Sequence, residues 1–188
     1  MKDIIWNRRS FIKTTVLGAL IFFSNPSFAA DAFKENADTP PGRLLLVNTH
    51  NNETLDVTYR KESGEYDQDA LDSINHILRC PHNEEEVKMD IRMIEFLNAV
   101  DKELGDGGNE IHVISGYRSP EYNALLRKRS KRVAKHSVHT WGKAVDFRIP
   151  GIPASKIKRT AINMELGGVG YYPRKGFVHI DSGSFRYW

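Results

Sequence analysis

Apolar positions recur along the chain with two different periods. Leu44 to Asn48 and the arm Leu55-Asp56-Val57-Thr58-Tyr59 flank the turn-forming His50-Asn51-Asn52-Glu53. The second arm alternates apolar with polar, which predicts a β-hairpin with one face buried. From Asp67 to Leu78 the spacing becomes helical, with Leu71, Ile74 and Ile77/Leu78 on one face. Glu84 to Leu104 repeats it with Val87, Ile91, Ile94 and Leu97, so two amphipathic helices split at Pro81 are expected.

The second half returns to short apolar runs. Ile111-His112-Val113-Ile114-Ser115 reads as a strand, and Ser119-Pro120-Glu121 then supplies an N-cap, a proline in the first helical position and an early acid for a helix ending near Arg129. Ala144 to Ile149 alternates as a strand, Ala154 to Leu166 is a helix stopped by Gly167-Gly168, and Val169 to Tyr172 and Phe177 to Ile180 are two further strands. The expected class is α+β, a central antiparallel sheet with flanking helices. The basic stretch Arg127 to Lys135 falls between helix and strand and is expected on a solvated loop.

Charge changes the picture at the start of the chain. The 27 Lys and Arg against 24 Asp and Glu leave +3. Residues 1–29 alone hold Lys2, Arg8, Arg9 and Lys13 against Asp3, so the remainder balances at 23 against 23. A balanced domain offers no global field for nucleic acid, and no nucleic-acid partner is expected. The leader is an export signal: basic residues, an apolar run from Thr14 to Phe23, then Ser27-Phe28-Ala29-Ala30 with small residues placed for a cut after Ala29. Its Arg8-Arg9 with Phe11 resembles a twin-arginine signal, which implies a periplasmic destination. The apolar run is shorter than a bilayer requires, so no stable membrane insertion is expected after cleavage. Residues 30–42, polar and containing Pro40-Pro41, read as a linker, and residues 43–188 as the working domain. With Cys80 the one cysteine, a disulfide within the chain is impossible and any metal must be held by His and carboxylate. The thiol itself, between two helices, is expected to be buried and unreactive.

The segment richest in chemistry is Ser137-Val138-His139-Thr140-Trp141-Gly142-Lys143-Ala144-Val145-Asp146, with an imidazole before a strand and a carboxylate inside it. His179 lies on the later strand Phe177 to Asp181. Two imidazoles and one carboxylate suit a catalytic zinc, which needs protein ligands on three corners and an open fourth. Gly142 and Ala144 would let the backbone pass close to such an ion. Ordinary half-buried histidines with Asp146 paired to an arginine fit these residues as well. Tyr171, Tyr172 and Trp188 fit either a groove wall or plain core packing.

The pattern Ser-x-His-x-x-Gly-x-Ala-x-Asp from Ser137 to Asp146, followed downstream by a strand bearing His179, resembles the zinc site of the D-Ala-D-Ala metallopeptidase group that includes VanX-type dipeptidases. Ser115-Gly116-Tyr117-Arg118-Ser119 fits the same group, and Ile114 to Trp188 is similar to its exported murein endopeptidases. The resemblance implies a hedgehog-like fold with the metal on the sheet, Zn2+ held by His139, Asp146 and His179, and Arg118 as substrate and oxyanion contact. It implies Ser137 as a residue orienting site or substrate. The implied partner is a peptidoglycan stem peptide, cut within cross-links at D-Ala to diaminopimelate or diaminopimelate to diaminopimelate, with D,D-carboxypeptidase action or a non-catalytic wall-binding module as alternatives. One departure stands out: where the group has a Glu three residues or a His five residues before its last ligand, this chain has Gly176 and Arg174. Asp181 is the nearest substitute base, or else it supports an imidazole; help from Arg174 is the third possibility.

Overall fold

The computed structural model describes residues 40–105, 107–131 and 133–188. The export signal and most of the linker lie outside the described residues. Strands β1 (Gly42–Asn48) and β2 (Thr54–Arg60) form the expected hairpin, and Leu44 and Leu46 bury their alternate positions. Gly42, placed in the linker by sequence, is already strand. The preceding carbonyls of Pro40 and Pro41 accept from Lys102, and Pro40 also accepts from Arg60. Asp67 caps α1 (Gln68–Ile77) by accepting from Ala70 N, and Ala70, Ile74 and Ile77 form its buried stripe.

Helix α2 (Ile91–Gly105) begins seven residues later than the periodicity predicts. The segment 84–90 spends its backbone donors elsewhere: Met89 N on the Asn75 side chain and Asp90 N on Gly142 O, with Glu84 at φ 57°. Val87 still packs on the core from this extended segment, which is why it mimics a helical position. A buried ion pair joins β2 to α2, Arg60 Nε donating to Glu95 Oε1 at 2.8 Å. Strand β3 (Glu110–Ser115) leads to α3 (Pro120–Arg129), capped by Ser119 as expected. Arg127, Lys128 and Arg129 are the exposed last turn of α3, so the basic stretch begins on a helix and not wholly on a loop.

A 3₁₀ turn (Val138–Trp141) precedes β4 (Ala144–Arg148), then come α4 (Ala154–Met164), β5 (Gly168–Tyr172), β6 (Phe177–Asp181) and the short β7 (Arg186–Tyr187). The strands form one sheet in the order β2-β1-β3-β4-β6-β5-β7. The antiparallel expectation needs correcting at two places, since β1 runs parallel to β3 and β5 parallel to β7. The first follows from chain path: β2, α1 and α2 lie between β1 and β3 and return the chain to its starting end. Helix α2 packs on β1 and β6, and α4 on β5 and β6. Alternation along β6 therefore puts Val178 and Ile180 in the core and turns Phe177, His179 and Asp181 to the opposite face. The same rule turns Asp146 of β4 and Gly168, Gly170 and Tyr172 of β5 to that face, while Tyr171 lies on the helix side with Lys158 over its ring. Among the described residues no helix is long and apolar enough to cross a membrane.

Candidate metal centre

Asp146 and His179 are direct cross-strand partners on β4 and β6, which sets their side chains next to each other on one face. His139 comes to them from the 3₁₀ turn, whose backbone is tied to the end of β3 by Arg118 N donating to His139 O at 3.2 Å. All three are buried, at 3%, 5% and 5% exposure for His139, Asp146 and His179. Asp146 Oδ1 is 3.2 Å from His139 Nε2 and 2.8 Å from His179 Nδ1, and the two nitrogens are 3.1 Å apart.

The partners on the far side of each ring assign its proton. His139 Nδ1 faces the carbonyl of Gly116 at 2.8 Å, an acceptor only, so the proton is there and the Nε2 lone pair points inward. His179 Nε2 donates to Asp181 Oδ2 at 3.0 Å, leaving the Nδ1 lone pair inward as well. With both rings neutral, three electron-rich atoms converge on one point, an arrangement that calls for a cation, either a proton shared between His179 and Asp146 or a metal ion. Donors on an ion at about 2.0–2.1 Å with tetrahedral angles would sit roughly 3.3 Å apart, close to the spacing observed. Among the described residues, these three form the group able to hold a metal ion.

Burial pushes the His139 imidazole below its ordinary value, opposed by Asp146. Burial also acts to lower His179, but hydrogen bonds to Asp146 and Asp181 outweigh it and the imidazole is raised, so the site attracts positive charge and a metal ion would bind by displacing the Nδ1 proton. For Asp146 burial is outweighed by the two imidazoles, which hold the carboxylate well below its usual range. Asp181 is fully buried, and both its oxygens are engaged: Oδ1 by Gly183 N and Arg186 Nη1, Oδ2 by His179 and Arg186 Nη2. These hydrogen bonds outweigh burial and lower its pKa.

Arg118 donates from Nε to Ser115 Oγ at 2.8 Å and from Nη2 to Asp146 Oδ2. Ser137 is buried at the N-cap of the 3₁₀ turn, and its carbonyl accepts from Thr140 N and Oγ1. Gly142 is needed for a reason other than the expected approach to a metal. It ends the turn at φ 64°, and a Cβ there would stand 2.9 Å from Lys88 O. Ala144 instead pairs with Asp181 across β4 and β6. Arg174 and His136 are exposed and outside the cluster, and Cys80 is buried. Sequence reasoning missed the Gly116 carbonyl and Arg186. A backbone acceptor leaves no trace in residue type, and Arg186 is marked only by its place five residues after Asp181.

A carboxylate behind a ligating imidazole fixes ring orientation and raises its basicity, and losing one typically lowers metal affinity about 10–100-fold. Asp181→Asn keeps the volume but turns an amide toward Arg186 or His179. It is expected to weaken metal retention by that factor in a chelator competition while leaving the fold intact by circular dichroism.

The comparisons with known proteins bear on the whole chain. The family described as peptidoglycan L,D-endopeptidase MepK matches residues 36–188. The chain is similar to the peptidoglycan L,D-endopeptidase MepK of Escherichia coli strain K12, 39% identical over 185 residues that cover 97% of each protein. A Shigella flexneri protein of the same name matches at the same identity and coverage. A Haemophilus influenzae protein named as a probable peptidoglycan L,D-endopeptidase MepK is 38% identical over 151 residues, 80% of this chain and 81% of the relative. With the family match running through every strand and helix described, the chain belongs to the peptidoglycan L,D-endopeptidase MepK family of M15 metallopeptidases and is a hydrolase.

Proposed function

We propose that this protein is a zinc-dependent L,D-endopeptidase that cuts cross-links between peptidoglycan stem peptides outside the cytoplasm. The observation that supports the metal is the convergence of His139 Nε2, Asp146 Oδ1 and His179 Nδ1, each with its lone pair turned inward. Two imidazoles and a carboxylate suit Zn2+, which when bound supplies Lewis acidity toward a peptide carbonyl and lowers the pKa of water. The substrate class rests on the relatives' names. Of the two cross-links that the resemblance implies, the bond between two diaminopimelates joins an L centre to a D centre and suits the relatives' L,D-endopeptidase name. The leader supports export to the periplasm, with the twin-arginine route as the reading its Arg8-Arg9 favours.

Arg118 has Nε and Nη2 committed to Ser115 and Asp146, which holds the guanidinium plane rigid beside the site. Its Nη1 edge then offers N–H donors to the scissile carbonyl oxygen as negative charge develops there. Ser137 steadies the 3₁₀ turn that presents His139. Asp181 is a positioning residue and not the general base, since both its oxygens are occupied and it is shut off from solvent. The test is incubation of the zinc-loaded protein with purified cross-linked peptidoglycan, with released muropeptides identified by mass spectrometry beside a chelated control and His139→Ala. Conversion of dimers to monomers only with metal and His139 is expected, with fragmentation locating the cut between diaminopimelates. Polymer bound but left intact would instead identify a wall-binding module.

A further inference from the structure

The residues on the site face form rows that cross the sheet. Asp146 of β4 stands beside His179 of β6, which stands beside Gly170 of β5. Beyond Gly170, on the same side as β7, comes Trp188. Its backbone is fixed to β5 by Trp188 N donating to Val169 O at 3.2 Å and Tyr171 N donating to Trp188 O at 3.0 Å. Gly170 makes the row continuous. A Cβ there would stand 2.8 Å from the indole Cζ2 and 3.1 Å from the His179 Cβ, so only a glycine lets the indole cross β5 to reach the imidazole. The two ring centroids are 5.4 Å apart. The Arg186 guanidinium lies 5.2 Å from the indole centroid, and Trp188 Nε1 donates to Tyr172 Oη at 3.3 Å.

An indole held by its backbone, a cation and a hydrogen bond is rigid, yet Trp188 is 50% exposed. What sets Trp188 apart from the other exposed aromatics is that its indole also touches the His179 imidazole, so its open half lies directly beside the His139-Asp146-His179 cluster. We propose that Trp188 is a substrate-contacting residue. Its exposed indole is the platform for the aliphatic stem of the residue adjoining the scissile bond, and Gly170 is the gap that brings it there. Arg118 and Trp188 would then flank the metal on the β3 and β7 sides, one taking the polar carbonyl and the other the hydrocarbon next to it. The assignment rests on the peptidase reading above for the identity of the substrate.

The test uses the full chain and a purified cross-linked muropeptide dimer. Trp188→Ala is expected to raise KM about tenfold with kcat within about threefold of wild type, and Trp188→Phe to fall between them. Metal affinity in chelator competition is expected to stay within about threefold, which separates substrate contact from mere support of His179. Calorimetric binding of the dimer to His139→Ala, with and without Trp188→Ala, is expected to show about tenfold weaker binding in the double variant. That measurement needs no turnover, so it reads the platform even if the wild type binds without cutting, which would overturn only the peptidase reading. An unchanged KM and Kd in Trp188→Ala, or a loss confined to kcat with tenfold weaker metal binding, would overturn the platform.

Discussion

Asp146→Ala is expected to abolish cleavage of cross-linked peptidoglycan and to lower unfolding free energy by about 3–5 kcal/mol, the cost typical of removing one partner from a buried ionic cluster. Asp146 joins both imidazoles to the guanidinium: Oδ1 faces His139 and His179 and Oδ2 takes Arg118. Its removal takes away one of the three converging donor atoms and leaves a guanidinium only 13% exposed without its main counter-charge. Metal chemistry worth several kcal/mol to the transition state disappears with it, so turnover should drop on the order of 10³-fold or more. Urea unfolding with and without zinc gives the decisive comparison. The wild type should be stabilised by the ion through mass action and the variant should not. Equal midpoints and an equal zinc response in the two proteins would remove Asp146 from the ligand set.

Arg118→Lys should lower kcat on the order of 10²–10³-fold, the usual effect of losing a donor to a developing oxyanion, with a smaller change in KM. Charge is conserved in this exchange, so the effect isolates geometry. The guanidinium spans Ser115 and Asp146 with Nε and Nη2 and leaves a third edge for substrate, whereas an ammonium is a single point that cannot serve all of these at once. Steady-state kinetics on a muropeptide dimer, with zinc content measured alongside, distinguishes the outcomes. A kcat within threefold of wild type at full metal content would mean that Arg118 only braces Asp146.

Much of this site is legible in the sequence because strands obey a two-residue rule. Alternation in Ala144 to Ile149 and Phe177 to Ile180 is enough to turn Asp146 and His179 out of the core, and the resemblance from Ser137 to Asp146 points to the family that the full-length comparisons show. What stays hidden is whatever depends on pairing across the fold. Val87, Ile91 and Ile94 look like one helical stripe, yet the backbone of 84–90 is drawn into bonds with Asn75 and Gly142 that no local pattern announces. Tyr171, Tyr172 and Trp188 look alike as aromatic residues. The strand parity places Tyr171 with α4 and Tyr172 on the site face, and only the pairing of β7 with β5 brings Trp188 beside His179. β7 itself is two residues long, too short for any period to reveal.

The cross-strand register of Asp146 with His179 also limits where this chain can gain or lose residues over evolutionary time. One residue inserted ahead of Asp146 in β4 or ahead of His179 in β6 would rotate everything beyond it in the strand to the other face of the sheet, and a carboxylate or an imidazole would enter the apolar core in place of Phe147 or Ile180. The exposed turns at Gly151 and at Lys175-Gly176 lie outside the paired rows and can change length without that penalty. Length variation among related sequences should therefore collect in those turns and spare the strands that carry Asp146 and His179. The turns are accordingly the places to graft a tag or a reporter.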